Sequence, residues 1–476
     1  MTNPASTTDT DHNALADLLM NNGLDDSSDD IDDLTHDSSN YAPLTDALEQ
    51  TVFESFDDGL YIGMMSGTSL DGMDAVLCQF NNDMADKENT NKENTIDEEH
   101  SQPAMQLLAT YSQDFPPRLR EVLLALCQPN GVNQLVPEAG EPNSELDWFG
   151  WASRAYAEFA SEVVNTLLQQ SNTDPESVLA IGCHGQTVRH RPQMGFSLQL
   201  VDANIIAERT GISVVSDFRR RDMAVGGQGA PLVPAFHQAL FATPDSTRVL
   251  LNLGGIANIT VLPALTNGVD SNLDSNTDSA DNVIGYDTGP ANLLLDAWTA
   301  LHTDNDYDAK GAWAQSGTII EPLLHQLLTH AFFAQPHPKS TGREDFNLAW
   351  LQGELQAFEQ ANANVSYSAA DVQATLTELT AISASTQISM FTDTDKNSSV
   401  YVCGGGALND YLMVRLQAHL PRCTVQTTDH LGLAPTWVEA VAFAWLARQT
   451  IMGETGNLPA VTGANKSVVL GQVCFA

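Results

Sequence analysis

Three glycine-rich turns each follow an apolar run: SGTSLDG (66–72), NLGGIAN (252–258) and CGGGALN (403–409). Glycine lets the backbone approach a ligand with no Cβ in the way, and consecutive N–H groups in such a turn can line an anion-binding concavity. The chemistry open to these turns is therefore the grip of an anion. None fits the G-x-x-x-x-G-K-[ST] pattern of a P-loop, and none is a G-x-G-x-x-G entering a helix before an acid, which disfavours a dinucleotide fold. Taken singly, each turn reads equally well as ordinary punctuation between strands. Two hairpins followed by a strand–GGG–helix unit is a more specific arrangement.

Carboxylates that could act as a base are few. On its residues alone, Asp287 in GYDTGP reads as an Asx-turn or a cap before PANLLLDAW. Glu439, in the first turns of the apolar TWVEAVAFAWLA, reads either as a cap-region acid or as an acid near a domain junction. Asp217 in SDFRRRD is a third acid, with Arg219, Arg220 and Arg221 as ready ion-pair partners. Those arginines stand out in a chain with 20 basic residues. A planar guanidinium fork suits a carboxylate or phosphate ligand and suits a surface ion pair as well. Cys183 and His184 are adjacent, a poor geometry for a nucleophilic dyad. The spacing of His184 and His190 in HGQTVRH does not fit one helical face, so core or ligand-contact histidines are expected there rather than a metal pair. Cys403, beside the triple glycine, reads as a small buried residue.

The elements that must carry these residues alternate between strand and helix periodicity. AMQLLATYSQDF reads as a strand, PRLREVLLALCQ and WFGWASRAYAEFASEVVNTLLQQS as amphipathic helices, and SVLAIGCHGQTV as a strand running into a loop. TRVLLNLGGIANITVL is strand, turn, strand; SVYVCGGGALNDYLMVRLQAHL is strand, turn, helix; TWVEAVAFAWLARQTI is a largely apolar helix. The mixture predicts α/β domains with mixed sheets. Residues 1–56, rich in Asp, Ser, Thr and Asn, are too polar to offset chain entropy and are expected to be a disordered acidic tail. Residues 81–103 and 265–282 read as polar loops inserted into the α/β framework.

The 476 residues carry a formal net charge of −41. Such a field repels nucleic acid and anionic membrane, so neither is expected as a partner, and an anionic substrate must be captured by local donors. The six scattered cysteines form no C-x-x-C pair and read as reduced thiols. No apolar run reaches membrane-spanning length and no basic, apolar leader opens the chain, which predicts a cytoplasmic protein.

The order of the three turns resembles the superfamily of actin, hexokinase and the heat-shock chaperones. Within it, MSGTSLDGMD, GCHGQTVRH, DFRRRDMAVGGQGAPLVPAFH, LNLGGIAN, GYDTGPANLLLDAW, KSTGRE and NLPAVTGA together resemble the anhydro-N-acetylmuramic acid kinase family over nearly all of residues 60–476. The resemblance implies two ribonuclease H-like domains with a cleft between them. One would hold residues 57–215 and 436–476, the other residues 216–435. It implies ATP and magnesium as cofactors, an anhydro amino sugar as substrate, and a homodimer. The reaction implied is hydrolytic opening of the 1,6-anhydro bridge with phosphorylation of O6.

On this resemblance Gly67, Thr68 and Ser69 meet the β- and γ-phosphates, with Leu70, Gly72, Met73 and Asp74 completing the first ATP-binding segment. Asp71 holds magnesium through water or, alternatively, stabilises its turn. Gly254, Gly255 and Asn258 meet the phosphates from the other side, and Gly404, Gly405, Gly406 and Asn409 pack under the nucleoside. Asp287 becomes the general base, and Glu439 a second candidate that orients the water. Asp217 remains a third catalytic candidate. His184, Gln186, Arg219, Thr288 and Gly289 are the expected sugar contacts. Two rivals stay open: a kinase acting on an ordinary hydroxyl of another amino sugar, and a non-catalytic nucleotide-gated module. The short chain beyond the triple glycine leaves little room for a peptide-binding domain, which counts against the module.

Overall fold

The computed structural model describes residues 59–67, 70–81, 104–264, 283–363, 365–392 and 398–476. The expected acidic tail and, apart from Asn81, both polar insertions lie outside the described residues. Residues 53–476 form one unit.

Apolar runs become strands, and the central strands of each sheet bury both faces while the edge strands Met105–Asp114 and Thr424–Thr427 are half-buried. β1 (Gly59–Met65), β2 (Gly72–Phe80) and β3 (Met105–Asp114) make an antiparallel meander, and β4 (Val178–Cys183) lies parallel to β1. A separate ribbon pairs β5 (Gln186–Arg191) with β6 (Phe196–Leu200), and β7 (Val214–Ser216) lies parallel to β4. A second sheet follows. β8 (Arg248–Leu253), β9 (Ile256–Leu262) and β10 (Ile284–Pro290) are antiparallel; β11 (Ser399–Cys403) and β12 (Thr424–Thr427) continue parallel to β8. Finally β13 (Gln472–Cys474) returns to the edge of the first sheet, against β7.

The strand orders are β13-β7-β4-β1-β2-β3 and β10-β9-β8-β11-β12. Apart from β13, both follow one plan: an antiparallel meander whose first strand is flanked on its other side by two parallel strands. This is the ribonuclease H-like arrangement implied above, present twice, and the α/β fold with mixed sheets is the one expected. The sequence reading of a loop after SVLAIGC needs amending. Only His184 and Gly185 separate β4 from β5, because Gly185 takes a φ of 74° and turns the chain at once into the ribbon.

Among the described residues four apolar cores surround the sheets. One lies between the first sheet and helix Glu145–Ser171. Another lies beneath the second sheet, against helices Ala369–Thr392 and Asp410–His419. A third is formed largely by helices beyond that sheet. The fourth joins the inner faces of both sheets around helix Val438–Ile451; it contains Tyr61, Val76 and Ala180 from one sheet and Leu250, Tyr401 and Cys403 from the other.

That helix approaches unusually closely because of one registered glycine pair. Gly63 and Gly182 are partners across β1 and β4. A Cβ on Gly63 would lie 1.9 Å from Ala440 O, and one on Gly182 would lie 2.0 Å from Phe443 O. Backbone thus sits on backbone, and the first turn of the helix, with Glu439, is held at the junction of the sheets. The six cysteines are free thiols. No helix among the described residues is long and apolar enough to cross a membrane.

Candidate active site

The first glycine turn joins β1 to β2. Of its residues, Thr68 and Ser69 lie outside the described residues. Gly67 O accepts from Gln186 Nε2 at 3.4 Å and from Leu70 N at 3.3 Å. Gln186 Oε1 is buried with no hydrogen-bond partner. Ser66 Oγ lies 3.0 Å from Tyr156 OH, both buried, which ties the turn to the long helix behind the sheet. Arg120 donates from Nε to Leu70 O at 2.9 Å and from Nη2 to Asp71 Oδ1 at 3.3 Å. Two expectations need correcting at the side-chain level. Leu70 and Met73 are core residues of the first sheet, so only their backbone is free to meet a nucleotide. Gly72 opens β2, and Asp74 follows on it, with its carboxyl raised by burial and lowered by a hydrogen bond with Ser112.

The other two turns meet each other. Gly254 O and Gly255 O accept from Asn292 N and Ala291 N at 3.0 Å each, at the start of helix Asn292–His302. A planar peptide directs its N–H opposite its C=O, so the Gly255 N–H points away from that helix. Asn292 Nδ2 donates to Leu253 O at 2.9 Å, and a Cβ on Gly406 would sit 2.5 Å from Leu253 Cβ; one on Gly405 would lie 3.5 Å from Asn292 Nδ2. Gly404 has φ 79° and ψ 175°, a conformation open in practice to glycine alone, and its missing Cβ makes room for Asn252 Oδ1. Asn409, expected at the nucleoside, instead caps helix Asp410–His419 by accepting from Leu412 N at 3.0 Å. That Asn292 knits the two turns together was not read from the sequence.

Asp287, Asn258, Asn252 and Cys403 are successive register partners across β10, β9, β8 and β11. Directly paired residues share a face. The row lies on the inner face, because Tyr286 and Leu251 belong to the core beneath the sheet while Leu250 and Cys403 belong to the core between the sheets. Asn252 Nδ2 donates to Glu439 Oε1 at 3.2 Å, while its buried Oδ1 has no hydrogen-bond partner. Two strand spacings, roughly 10 Å, separate Asp287 from Asn252 along the row. A β-bulge follows Asp287, with Thr288 the extra residue. Bulges re-aim side chains. Thr288 itself turns inward: it is fully buried and its hydroxyl donates to Ala257 O at 3.3 Å, which removes it as a ready sugar contact. Gly289 resumes the pairing beyond it.

Burial pushes the Asp287 carboxyl up to about 6; a backbone bond from Thr341 and a side-chain bond from Ser340 lower it, and the charge of Glu344 raises it. Burial likewise raises Glu439, opposed by Arg219 and Asn252 and reinforced by Asp74. Arg219 donates to His184 Nε2 from Nη2 at 2.8 Å and to Gly229 O from Nη1 at 2.8 Å. Its own pKa is pulled down to about 10 by burial and held up by Glu439 and Asp222. Burial and Arg219 press His184 well below the ordinary histidine value. His184 is therefore a neutral acceptor at Nε2. His190 sits on the ribbon, with Nδ1 3.0 Å from Ser197 Oγ. Asp217 is the ion-pair partner anticipated as its alternative: Arg220 Nε donates to its Oδ2 at 2.6 Å.

Asp222 ends the arginine motif inside the protein. It is fully buried and accepts from Gly229 N, Asn457 Nδ2 and Thr462 Oγ1 at 2.8, 2.6 and 2.7 Å. The DFRRRD and NLPAVTGA motifs are thus two halves of one structural joint. Asp296, on helix Asn292–His302, has its carboxyl pushed up to about 7 by burial and by Asp71, Asp306 and Asp308. Asp71, in the turn before β2, and Asp296, on the helix that follows β10, are therefore within reach of each other's charge. The motif PANLLLDAW contains Asp296, but nothing in its spacing signals that meeting.

The sequence profile of the anhydro-N-acetylmuramic acid kinase family matches residues 59–476. The chain belongs to that family. An anhydro-N-acetylmuramic acid kinase from Psychrobacter arcticus is 79% identical over 441 residues, covering 92% of this chain and 100% of that one. One from Shewanella sediminis is 45% identical over 415 residues, covering 87% and 98%. Membership makes this protein a phosphotransferase. A ROK family glucokinase from Streptomyces griseus superposes with a TM-score of 0.33 at 12% identity, covering 82% of this chain and 100% of that one. The strand orders of the two sheets define the fold.

Proposed function

We propose that this phosphotransferase is a cytoplasmic, ATP-dependent kinase that acts on 1,6-anhydro-N-acetylmuramic acid. Asp287 takes a proton from water as its oxygen attacks the anomeric carbon. The bond from that carbon to O6 breaks, and O6 captures the γ-phosphoryl of ATP, releasing ADP; the proton then passes from Asp287 to solvent. The product is N-acetylmuramic acid 6-phosphate, which suits a role in cell-wall recycling. The observation that carries the reading is the Asp287–Asn258–Asn252 row. It sets a carboxylate with a pKa of about 6, suited to general-base work near neutral pH, on the same face as the partner of Glu439. Family membership supports the substrate.

The first sheet with the C-terminal segment would form one jaw and the second sheet the other. Backbone N–H groups of the two hairpins would grip phosphate oxygens, supplying donors where charge develops. Gln186 Oε1 and Asn252 Oδ1, buried without partners, are acceptors that ligand hydroxyls would satisfy. His184 and Arg219 act as one unit in sugar binding, the arginine supplying positive charge for a carboxylate. Magnesium prefers hard oxygen donors and keeps several waters. Asp71, which accepts from Arg120 at 3.3 Å, and Asp296, whose carboxyl is raised by the charge of Asp71, are the carboxylates that would hold a hydrated cation, and the ion would neutralise phosphate charge.

The test is a coupled ADP-release assay with magnesium-ATP and the anhydro sugar, run beside N-acetylmuramic acid and the Asp287→Asn variant. Turnover with the anhydro sugar alone, lost in the variant, is the expected result. Equal turnover of the unbridged sugar would make the protein an ordinary sugar kinase.

A further inference from the structure

A half-buried carboxylate that must accept a proton needs donors to keep it charged, and the KSTGRE segment (339–344) supplies them. Asp287 N donates to Lys339 O at 3.0 Å, which aligns the segment beside β10. Ser340 Oγ donates to Asp287 Oδ2 at 2.9 Å, and Thr341 N donates to the same oxygen at 3.0 Å. No hydrogen bond reaches Asp287 Oδ1 from the described residues. The two oxygens are therefore distinguished: one is held, the other is left to react.

The segment is itself anchored at both sides of Ser340. Lys339 is buried, with Nζ donating to Phe332 O at 3.2 Å and lying 4.5 Å from the Phe332 ring centre. Its ammonium is thus spent on the carbonyls rather than on Asp287. Thr341 Oγ1 donates to Asp345 Oδ2 at 2.8 Å. Glu344 is the charged neighbour whose field reaches Asp287, and it favours protonation there, as burial does. Among the described residues Ser340 contributes the one side-chain donor that opposes both, from an exposed position where substitution leaves no cavity.

We propose that Ser340 is a positioning residue, whose hydroxyl donates to Asp287 Oδ2, keeps that carboxylate ionised, and presents Oδ1 to the proton it removes. This rests on the reading of Asp287 as the base. A hydrogen bond donated to a carboxylate stabilises its charged form, so losing one raises the pH at which the group takes up a proton. Because the base works deprotonated, the rate falls on the acid side.

The experiment measures kcat against pH for the wild type, Ser340→Ala and Ser340→Thr with magnesium-ATP and 1,6-anhydro-N-acetylmuramic acid. Alongside it, the Asp287 carboxyl is titrated by carbon-13 NMR, its signal assigned by its absence in Asp287→Asn. In Ser340→Ala the acid limb should move up by about one pH unit, with KM for the sugar unchanged, the carboxyl titration moving in step, and Ser340→Thr restoring both. A Ser340→Ala profile and titration that coincide with the wild type would overturn the proposal, as would a pH-independent loss of kcat with the titration unmoved. If Asp287→Asn keeps full turnover, the base reading fails. The NMR titration then decides by itself whether Ser340 holds the carboxylate: a shift sustains that, and no shift ends it.

Discussion

A buried histidine kept neutral makes a folded chain sensitive to acid. His237 is buried against the inner face of β9, with Nδ1 3.0 Å from Thr260 Oγ1, and burial lowers its pKa to about 3. Between its unfolded value near 6.5 and its folded value, only the unfolded chain binds the proton. Stability is therefore lost as pH falls through that window. Replacing His237 with Phe removes this one contribution while other groups stay in place. Relative to the wild type, the variant should gain about 1.4 kcal/mol per pH unit as pH falls below about 6.5. Urea unfolding at pH 7 and pH 5 checks this, and parallel stability curves would refute it. Of the candidate site residues, Asp287, Glu439 and His184 were legible as titratable groups in quotable motifs. Their partners were not: Ser340 stands 53 residues from Asp287 in the chain, and Asn252 stands 187 residues from Glu439.

At the level of elements, the seat of helix Val438–Ile451 depends on the Gly63–Gly182 pair. An alanine at either position drives a methyl into helix backbone, which has no flexible end to yield. The helix must slide, taking Glu439 away from Asn252. Gly63→Ala and Gly182→Ala should each cost about 3 kcal/mol. The double variant should cost clearly less than the sum, because one shift of the helix relieves both clashes. Denaturant unfolding of the three variants tests this; strict additivity would mean two independent local strains. The expected hairpins, the long helix and the strand–GGG–helix unit were all legible, since their periodicities are local. The short turn at His184–Gly185 and the ribbon after it were not, because a single left-handed glycine redirected a strand that reads as ending in a loop.

Across the whole molecule, charge opposes compaction: 61 acidic residues face 20 basic ones. Self-repulsion of this size is screened by salt, so raising sodium chloride from about 0.02 M to about 0.5 M should raise Tm by several degrees. It should also lower KM for the anionic nucleotide at moderate salt. Thermal scans and initial rates in the two buffers suffice, and a Tm that falls with salt would show that local ion pairs outweigh the global field.

What the sequence determined alone was everything written in local pattern: α/β class, the three glycine turns in their order, the candidate acids and the family. Strand and helix periodicity reflect burial of one face, and turn glycines reflect backbone conformation, so both leave marks within a few residues. Tertiary structure decided which side chains those elements bring together. Sheet register aligned Asp287 with Asn258 and Asn252, packing carried Asn457 and Thr462 to Asp222 across 235 and 240 residues, and burial raised the Asp287 carboxyl and lowered the His184 imidazole. Such contacts depend on how whole elements settle against one another, and no spacing within a motif encodes that.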